Sequence, residues 1–558
     1  MGIEFEQEQT AKRVAVASRS ATQPSASASP SASGSRRVVW RNALLLSVVA
    51  VAARLWGLNF GLPYSTHPDE PVVIGTVVDM LHAHSLDPNT FLYPSGLYYY
   101  LFAVGSIYQL VTGHPIGEPP TYMALGLYPT PDAVMLMRLA TSFVCALAIV
   151  LVYLTARLIA GEWPAIGGAL LLAFSPFHLN LSQIVTTDGV SATCMALLAF
   201  FSALALRNGR VWTFYAAAVA AGLAAGVKYN AAAGGIMWAV ALYFYMRREV
   251  AEGRRVWGWS MARDPRALSL LIVPLTFLVT TPFSVIRPHL FLAGVKSVFF
   301  HYGVQGHEGF TGLSIISALG QLFSPPEILL SALAIVGLVS VALRRKPEAI
   351  VIASGALVYF GVVVAPKLFF ARNLVPLWPL LAILAAEGLA ALYMWSERIQ
   401  SLRGLTVRGV DLRGPLLAML FLVAITPTVA SAAQFDTYRA STDVRQQATD
   451  WIAANIPAGS TVAIESYDAT VDTSRYTVIY QKFGIFEQPM SWYRAHGVQY
   501  VVISELFYRR FYLAGSAFPS ERAAYDTMRA QWPTLQAFDG VNSSDGTTDW
   551  HIYVLKVV

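Results

Sequence analysis

The chain has 558 residues, 55% of them hydrophobic and 13% charged, with a mean hydropathy of +0.51. These values exclude a soluble globular domain and point to a polytopic membrane protein. The formal net charge of +6 does not signal nucleic acid, because the basic residues fall in short clusters between apolar runs, as cytoplasmic loops do.

Residues 1–35, ending in ATQPSASASPSASGS, are rich in Ser, Ala and Pro and carry too little apolar side chain to pack. They are expected as a disordered cytoplasmic tail. The first apolar run, near 43–62, is long for a signal-peptide core and no small-residue cleavage pattern follows it. An uncleaved membrane helix is expected there, with Arg36, Arg37 and Arg41 holding the N-terminus in the cytoplasm.

A bilayer core takes about 20 apolar residues per helix. On that measure further crossings are expected near 134–158, 164–182, 188–206, 212–228, 230–246, 268–286, 325–343, 349–366, 372–395 and 414–433. Hydropathy leaves the tyrosine-rich run YPSGLYYYLFAVGSIYQLVTG, 93–113, ambiguous, and charge places it. Without a crossing there, the Arg and Lys clusters from Arg157 to Arg413 fall inside. Only Arg138, Lys228, Arg287, Lys296, Lys367 and Arg372 then lie outside between residues 63 and 433. With a crossing there, the positive-inside bias inverts. The run is therefore expected as an amphipathic helix at the outer interface, where tyrosine is at home. About eleven crossings follow over residues 36–433. Cys145 and Cys194 both sit in apolar runs and imply no disulfide framework.

From about residue 434 the long apolar runs stop. STVAIES and VQYVVIS have the pattern of buried strands, RQQATDWIAANI and SERAAYDTMRAQW that of amphipathic helices, so 434–558 is expected as a small external α/β domain. The fold class expected is thus membrane α-helical, with interfacial helices in the first external loop and a C-terminal α/β domain.

The first external loop, about 63–133, contains no Lys or Arg, yet STHPDEPVV places His67, Asp69 and Glu70 where the chain leaves the lipid. Paired carboxylates outside a membrane helix are most often solvated loop. Their surroundings argue for more. Arg54, inside the preceding helix, needs a partner or an anion. Asp188 in SQIVTTDGVS lies at another helix mouth, where an N-cap is the plain alternative. Arg138, Lys228, Lys367 and Arg372 also lie at helix mouths, where snorkelling is the plain alternative. Together they predict an outward-facing anion site suited to a lipid phosphate. A carboxylate there would take a proton from an incoming hydroxyl while the cations stabilise the departing phosphate. His301, His307 and Glu308 form a further outer cluster that could hold a divalent metal, although the spacing is no strong ligand pattern. No Walker loop, dinucleotide fingerprint or nucleophile elbow occurs.

At these residues the chain resembles the polytopic glycosyltransferases of the GT-C type, within the protein O-mannosyltransferase and aminoarabinose-transferase superfamily. RLWGLNFGLPYSTHPDE, YPSGLYYYL, MRLATSFVCALAIVLVYLTARLIAG, SPFHLNLSQIVTTDG, AAGVKYNA and ARNLVPLWPLLAILAAEGLA carry the resemblance, in order, over most of 40–395. WIAANIPAGSTVAIESYD and WYRAHGVQYVVISELFYRRF look like the C-terminal part of bacterial members. The resemblance implies a plasma-membrane transferase that takes a sugar from a polyprenyl-phosphate donor. It further implies Asp69 as general base and Glu70 as organiser of donor and acceptor. Arg138 and Asp188 fall at matching positions, and Lys228 and Arg372, with His67 nearby, are directed to the donor. The acceptors of the family imply a glycan, lipid or protein hydroxyl, although the inserted repeat domain of the eukaryotic mannosyltransferases is absent here. A single displacement needs one base and inverts the anomeric carbon, whereas retention wants a nucleophilic carboxylate as well. Glu70 beside Asp69 leaves that second route open. The rival from another class is a polytopic transporter or lipid flippase for glycolipid-type substrates, since helices with buried charges also suit substrate pathways. A sensing protein whose external domain binds a partner is the third reading.

Overall fold

The computed structural model describes residues 32–62, 64, 67, 69–117, 130–254, 258, 263–305, 313–398, 406–407, 410–513, 517–540 and 550–558. His307, Glu308 and residues 1–31 of the expected tail lie outside the described residues. Contacts divide the chain into two units, 1–45 and 46–558. In the first, the described residues form the opening turns of helix Ala32–Leu55, so helix begins within the segment expected as tail. All that follows concerns the second.

Among the described residues, six helices are long and apolar enough to cross a membrane: Arg36–Leu55, Pro131–Ala160, Thr187–Asn208, Pro347–Val364, Ala371–Ser396 and Arg413–Asn455. The run expected at 164–182 is instead a pair, Glu162–Phe174 and Pro176–Ser182, bent by 61°. Pro176 has no N–H to bond back into the preceding turn, and Ser175 turns extended so that its hydroxyl accepts from the His178 N–H and caps the new helix. Three further runs are shorter apolar helices, Val211–Val227, Ser269–Thr280 and Ile328–Arg344. The run expected at 230–246 opens as a 3₁₀ turn, Tyr229–Gly235, before helix Ile236–Ala251. The tyrosine-rich run forms helix Gly96–Thr112, closed by Gly113 in the left-handed region at φ 74°. It leaves Ile107, Leu110 and Val111 exposed.

The spans differ in how far they are enclosed. Most of Thr187–Asn208 is buried, and residues 373–391 of Ala371–Ser396 are buried without a break, so these two form the centre of the bundle. Their close packing depends on small residues. Helix Ile328–Arg344 meets Ala371–Ser396 at Gly337 and Gly388, where a Cβ on either would run into backbone of the other helix. Both central spans begin at one rim of the bundle, and that rim carries the site.

A two-residue pair, β1 (Thr406–Val407) and β2 (Val410–Asp411), precedes helix Arg413–Ala440. That helix continues past the end expected at 433, and the sheet domain opens with helix Val444–Asn455. Its five strands are β3 (Thr461–Glu465), β4 (Thr477–Gln481), β5 (Tyr500–Ser504), β6 (Thr534–Gly540) and β7 (Trp550–Lys556), in the order β4-β3-β5-β7-β6. β3 is parallel to β4 and β5, whereas β7 is antiparallel to β5 and β6. Both faces are covered, by Val444, Ala448 and Ile452 on one side and by Tyr525, Met528 and Trp532 on the other. That double burial explains why β3 and β5 are almost wholly apolar.

The sheet domain is fastened to the stretch just before Asp69. Tyr64 is 3% exposed. Its hydroxyl lies 2.6 Å from Thr449 Oγ1 and donates to the Arg445 carbonyl at 3.3 Å, with the Arg445 guanidinium 4.9 Å from the ring centre.

Candidate active site

Helix Asp69–His82 decides what the carboxylate pair can do. Successive residues on a helix project about 100° apart, so Asp69 and Glu70 cannot face the same space. Glu70 turns into the bundle and is fully buried. Arg138 clasps it with two bonds, Nε to Oε1 at 2.8 Å and Nη2 to Oε2 at 2.8 Å, and the Val185 N–H adds a third at 3.0 Å. Arg138 Nη1 donates to the carbonyls of Leu58 and Phe60 at 3.0 and 2.8 Å, and its guanidinium lies 3.8 Å from the Phe60 ring centre. Arg439 covers the other contact of that ring, also at 3.8 Å. Glu70 and Arg138, both expected at the site, are thus taken up in tying together the stretch before Asp69, helix Pro131–Ala160 and the turn before Thr187–Asn208. Neither lines the cavity described next. Arg54 is fully buried within the bundle, where Nη1 donates to the Ala50 carbonyl at 3.0 Å and Nη2 lies 2.9 Å from His178 Nδ1, while its Nε has no hydrogen-bond partner.

Asp69 faces the other way, into a cavity of about 790 Å³ lined also by Lys228, Arg372, Asn373, Tyr93 and Tyr302. Lys228 reaches it from the end of helix Val211–Val227, Arg372 and Asn373 from the 3₁₀ turn Ala371–Leu377. Lys228 Nζ donates to Asp188 in the first turn of Thr187–Asn208 and, at 2.7 Å, to Asn373 Oδ1. The N-cap position of that helix belongs to Thr186, so Asp188 works as the lysine's partner rather than as a cap. Arg372 Nη2 lies 3.1 Å from Asp69 Oδ2, its guanidinium 4.3 Å from the centre of the Phe370 ring. Two ion pairs, Lys228–Asp188 and Arg372–Asp69, thus contribute Lys228, Arg372 and Asp69 to the lining. The same lining includes the apolar side chains of Leu92, Val298, Phe299, Val362, Val363 and Pro366.

Burial would push the Asp69 carboxyl up, but Arg372 first, then His67, the Tyr93 hydroxyl and Lys228, outweigh it and hold the group below the usual carboxylate range. Placement in the first turn of its helix adds in the same direction. His67 does not face the cavity as a lining group; its Nδ1 accepts from the Asp69 N–H at 3.2 Å. Burial lowers its pKa against the pull of Asp69, and its bond ties it to the first turn of the helix. Of the remaining outer cations, Arg287 pairs with Asp87 at 2.7 Å, and Lys367 is exposed away from the cavity. His301 does line it, stacked near Phe370, but among the described residues no group of three or more His, Cys, Asp or Glu comes together to hold a metal. The sequence reading missed Tyr93, Asn373 and Tyr302. Tyr93 opens the run placed at the interface, and Asn373 follows Arg372 directly, which are the only local signals either gives.

Fold and site together define a polytopic helical protein with a cavity at which two ion pairs meet and a C-terminal sheet domain, which is the GT-C type of architecture. Residues 121–262 match the family described as dolichyl-phosphate-mannose-protein mannosyltransferase, a stretch that takes in Arg138, Asp188 and Lys228 but neither Asp69 nor Arg372. The fold is similar to that of the oligosaccharyltransferase of Archaeoglobus fulgidus in its apo form, at 13% identity over 92% of this chain and 74% of that one, with a TM-score of 0.51. It is also similar to the same archaeal enzyme, AglB, in complex with an inhibitory peptide and a dolichol-phosphate, at 13% identity over 87% and 72% of the chains, TM-score 0.52. ArnT from Cupriavidus metallidurans bound to undecaprenyl phosphate gives 15% identity over 95% and 99%, TM-score 0.48. No curated protein sequence matches the chain.

Proposed function

We propose that this protein is a membrane glycosyltransferase that moves a sugar from a polyprenyl-phosphate donor to a hydroxyl acceptor on the extracytoplasmic side. The observation that carries the reading is the placement of Asp69 in one cavity with Lys228, Arg372 and a set of apolar side chains. The phosphate of the donor meets Lys228, Arg372 and the Asn373 amide, and the prenyl chain lies along Val362, Val363 and Phe299. Asp69 Oδ2 is buried and receives no aligned hydrogen bond from a donor group, which leaves it a lone pair for an acceptor O–H. In the step proposed, the acceptor oxygen forms its bond to the anomeric carbon as its proton passes to Asp69. The bond from that carbon to the phosphate oxygen breaks, and its electron pair stays on the phosphate beside the two cations. One base and a single displacement invert the anomeric centre. Glu70, committed to Arg138, is not free to act as the nucleophile a double displacement requires.

The distribution of Arg and Lys supports a cytoplasmic N-terminus and an extracytoplasmic sheet domain, and the proposed setting is a plasma membrane. The acceptor is a glycan, lipid or protein hydroxyl beneath the sheet domain. The fold comparison does not favour the transporter or flippase alternative. The test is transfer of labelled sugar from polyprenyl-phosphate donors in vesicles containing the purified chain. A new covalent bond to an acceptor, lost in Asp69→Asn, supports the proposal; translocation with no new bond refutes it.

A further inference from the structure

We propose that Arg372 exchanges partners in each turnover, holding Asp69 until a lipid phosphate enters the cavity and then moving to that phosphate, which releases Asp69 to act as base. The inference rests on the reading of Asp69 as the base. It starts from a difference among three cation–carboxylate pairs. Arg138 and Glu70 are both fully buried and doubly bonded, a fixed joint. Lys228 is shared between Asp188 and Asn373 and is mostly buried. Arg372 and Asp69 are 21% and 17% exposed, and both line the cavity. Their 3.1 Å contact is an ion pair with no aligned hydrogen bond at Oδ2, so little directional bonding is lost when it opens.

The guanidinium also has somewhere to go. It lies over Phe370, whose ring supports a cation across its face, so a shift toward the cavity keeps that contact. Arg372 is the second residue of the 3₁₀ turn that leads into the largely buried helix Trp378–Ser396, which fixes its backbone while the long side chain reaches into the cavity. Arg372, His67, Tyr93 and Lys228 face Asp69, with Tyr467 of the sheet domain and Asp188 farther off. Of these, Arg372 is the cation at contact distance. A carboxylate that keeps its guanidinium is a poor proton acceptor, and a phosphate that lacks one is a poor leaving group. One side chain that serves each in turn gives base strength only when a donor is present.

The exchange makes Asp69 a competitor of the lipid phosphate for Arg372, which a double-mutant cycle measures. Dissociation constants for undecaprenyl phosphate are taken with the full chain in nanodiscs, for wild type, Asp69→Asn, Arg372→Gln and the double variant. Arg372→Gln weakens binding roughly tenfold to a hundredfold, the loss of one charge-assisted bond. Asp69→Asn tightens binding several-fold in wild type and changes it little when Arg372 is already Gln. Arg372→Lys, which keeps the charge, restores the tightening. Equal effects of Asp69→Asn in both backgrounds, or weaker binding in the single variant, overturn the exchange and leave the guanidinium bridging both anions. Absence of lipid-phosphate binding by the wild type overturns it together with the donor reading. Sugar transfer by Asp69→Asn removes the base while the cycle still reports on the exchange.

Discussion

Arg138→Ala separates the structural assignment of this residue from the one its sequence position suggests. The substitution deletes two bonds to Glu70 at 2.8 Å and two to the Leu58 and Phe60 carbonyls at 3.0 and 2.8 Å. Glu70 keeps the Val185 N–H at 3.0 Å but stays buried without its counter-charge. Breaking one side of a buried pair costs about 3–5 kcal/mol, and the lost contact with Phe60 adds about 0.5–2 kcal/mol. Glu70→Gln is milder, because the amide oxygen still accepts from Val185 N–H and Arg138 Nε while only the Nη2 bond is lost to the amide NH2; the loss of that charge-assisted bond costs about 1.5–3 kcal/mol. Thermal melting in detergent, followed with a thiol-reactive dye at the buried Cys145 and the partly buried Cys194, should therefore rank wild type above Glu70→Gln and Glu70→Gln above Arg138→Ala. Turnover measured below the melting range should persist in Glu70→Gln. An Arg138→Ala protein that melts with the wild type and shows only a raised donor KM would make Arg138 a phosphate ligand and refute the reasoning.

Asp69→Asn should lower kcat by about 10²–10⁴-fold, the usual contribution of a general base, as radiolabel transfer will show. Because Asp69 is held below the usual carboxylate range, kcat/KM in the wild type should stay level as pH falls through that range and drop only below it. Lys228→Ala should raise donor KM about tenfold to a hundredfold and also lower the melting point, since it strips Asp188 of its partner. In the sheet domain, burial pushes Glu465 up from 4.5 to about 7, against the hydrogen bonds from Tyr525 and the N–H groups of Ser504 and Ile485. The folded protein then holds more protons than the unfolded one between 4.5 and about 7. This contribution to stability is full below the lower value and is lost as pH rises through the upper one. Melting temperature should fall across that window in the wild type, and Glu465→Gln should flatten the fall; an unchanged slope would count against the buried proton.

How much of this was legible in the sequence depended on whether the signal was local. Asp69, Lys228 and Arg372 could be picked out because each is a charge at a helix mouth, and the basic ones stand against the positive-inside bias. The direction of Glu70 could not, since it turns on where helix Asp69–His82 starts, and a shift of one residue rotates the side chain by about 100°. The surroundings of Arg138 were hidden for a related reason. A guanidinium can be buried only where several acceptors converge, and here they come from Glu70, Leu58 and Phe60, all far from it in sequence. The bend at Ser175 was visible as the pair SP, yet a window long enough to detect a crossing averages over it. The sheet domain boundary slipped because hydropathy falls near 434 while helix Arg413–Ala440 continues on its polar turns.

These differences give a physical reason for placing Asp and Glu on consecutive residues. In the proposed reaction the base must hold its position against a phosphate bound by side chains from other elements, and a loop carboxylate would not. Glu70 supplies the fixed point: buried, bonded three times and tied to helix Pro131–Ala160 and the turn before Thr187–Asn208, it fixes the rotation of the helix that both acids begin. Asp69, one Cα step of about 3.8 Å away, inherits that rotation and faces the cavity, while the first-turn N–H groups favour its charge. The same turn of helix that withholds Glu70 from the chemistry aims Asp69 into it. Exchanging the two residues would bury the shorter acid out of reach of the full Arg138 clasp and place the longer one, unsteadied, at the donor.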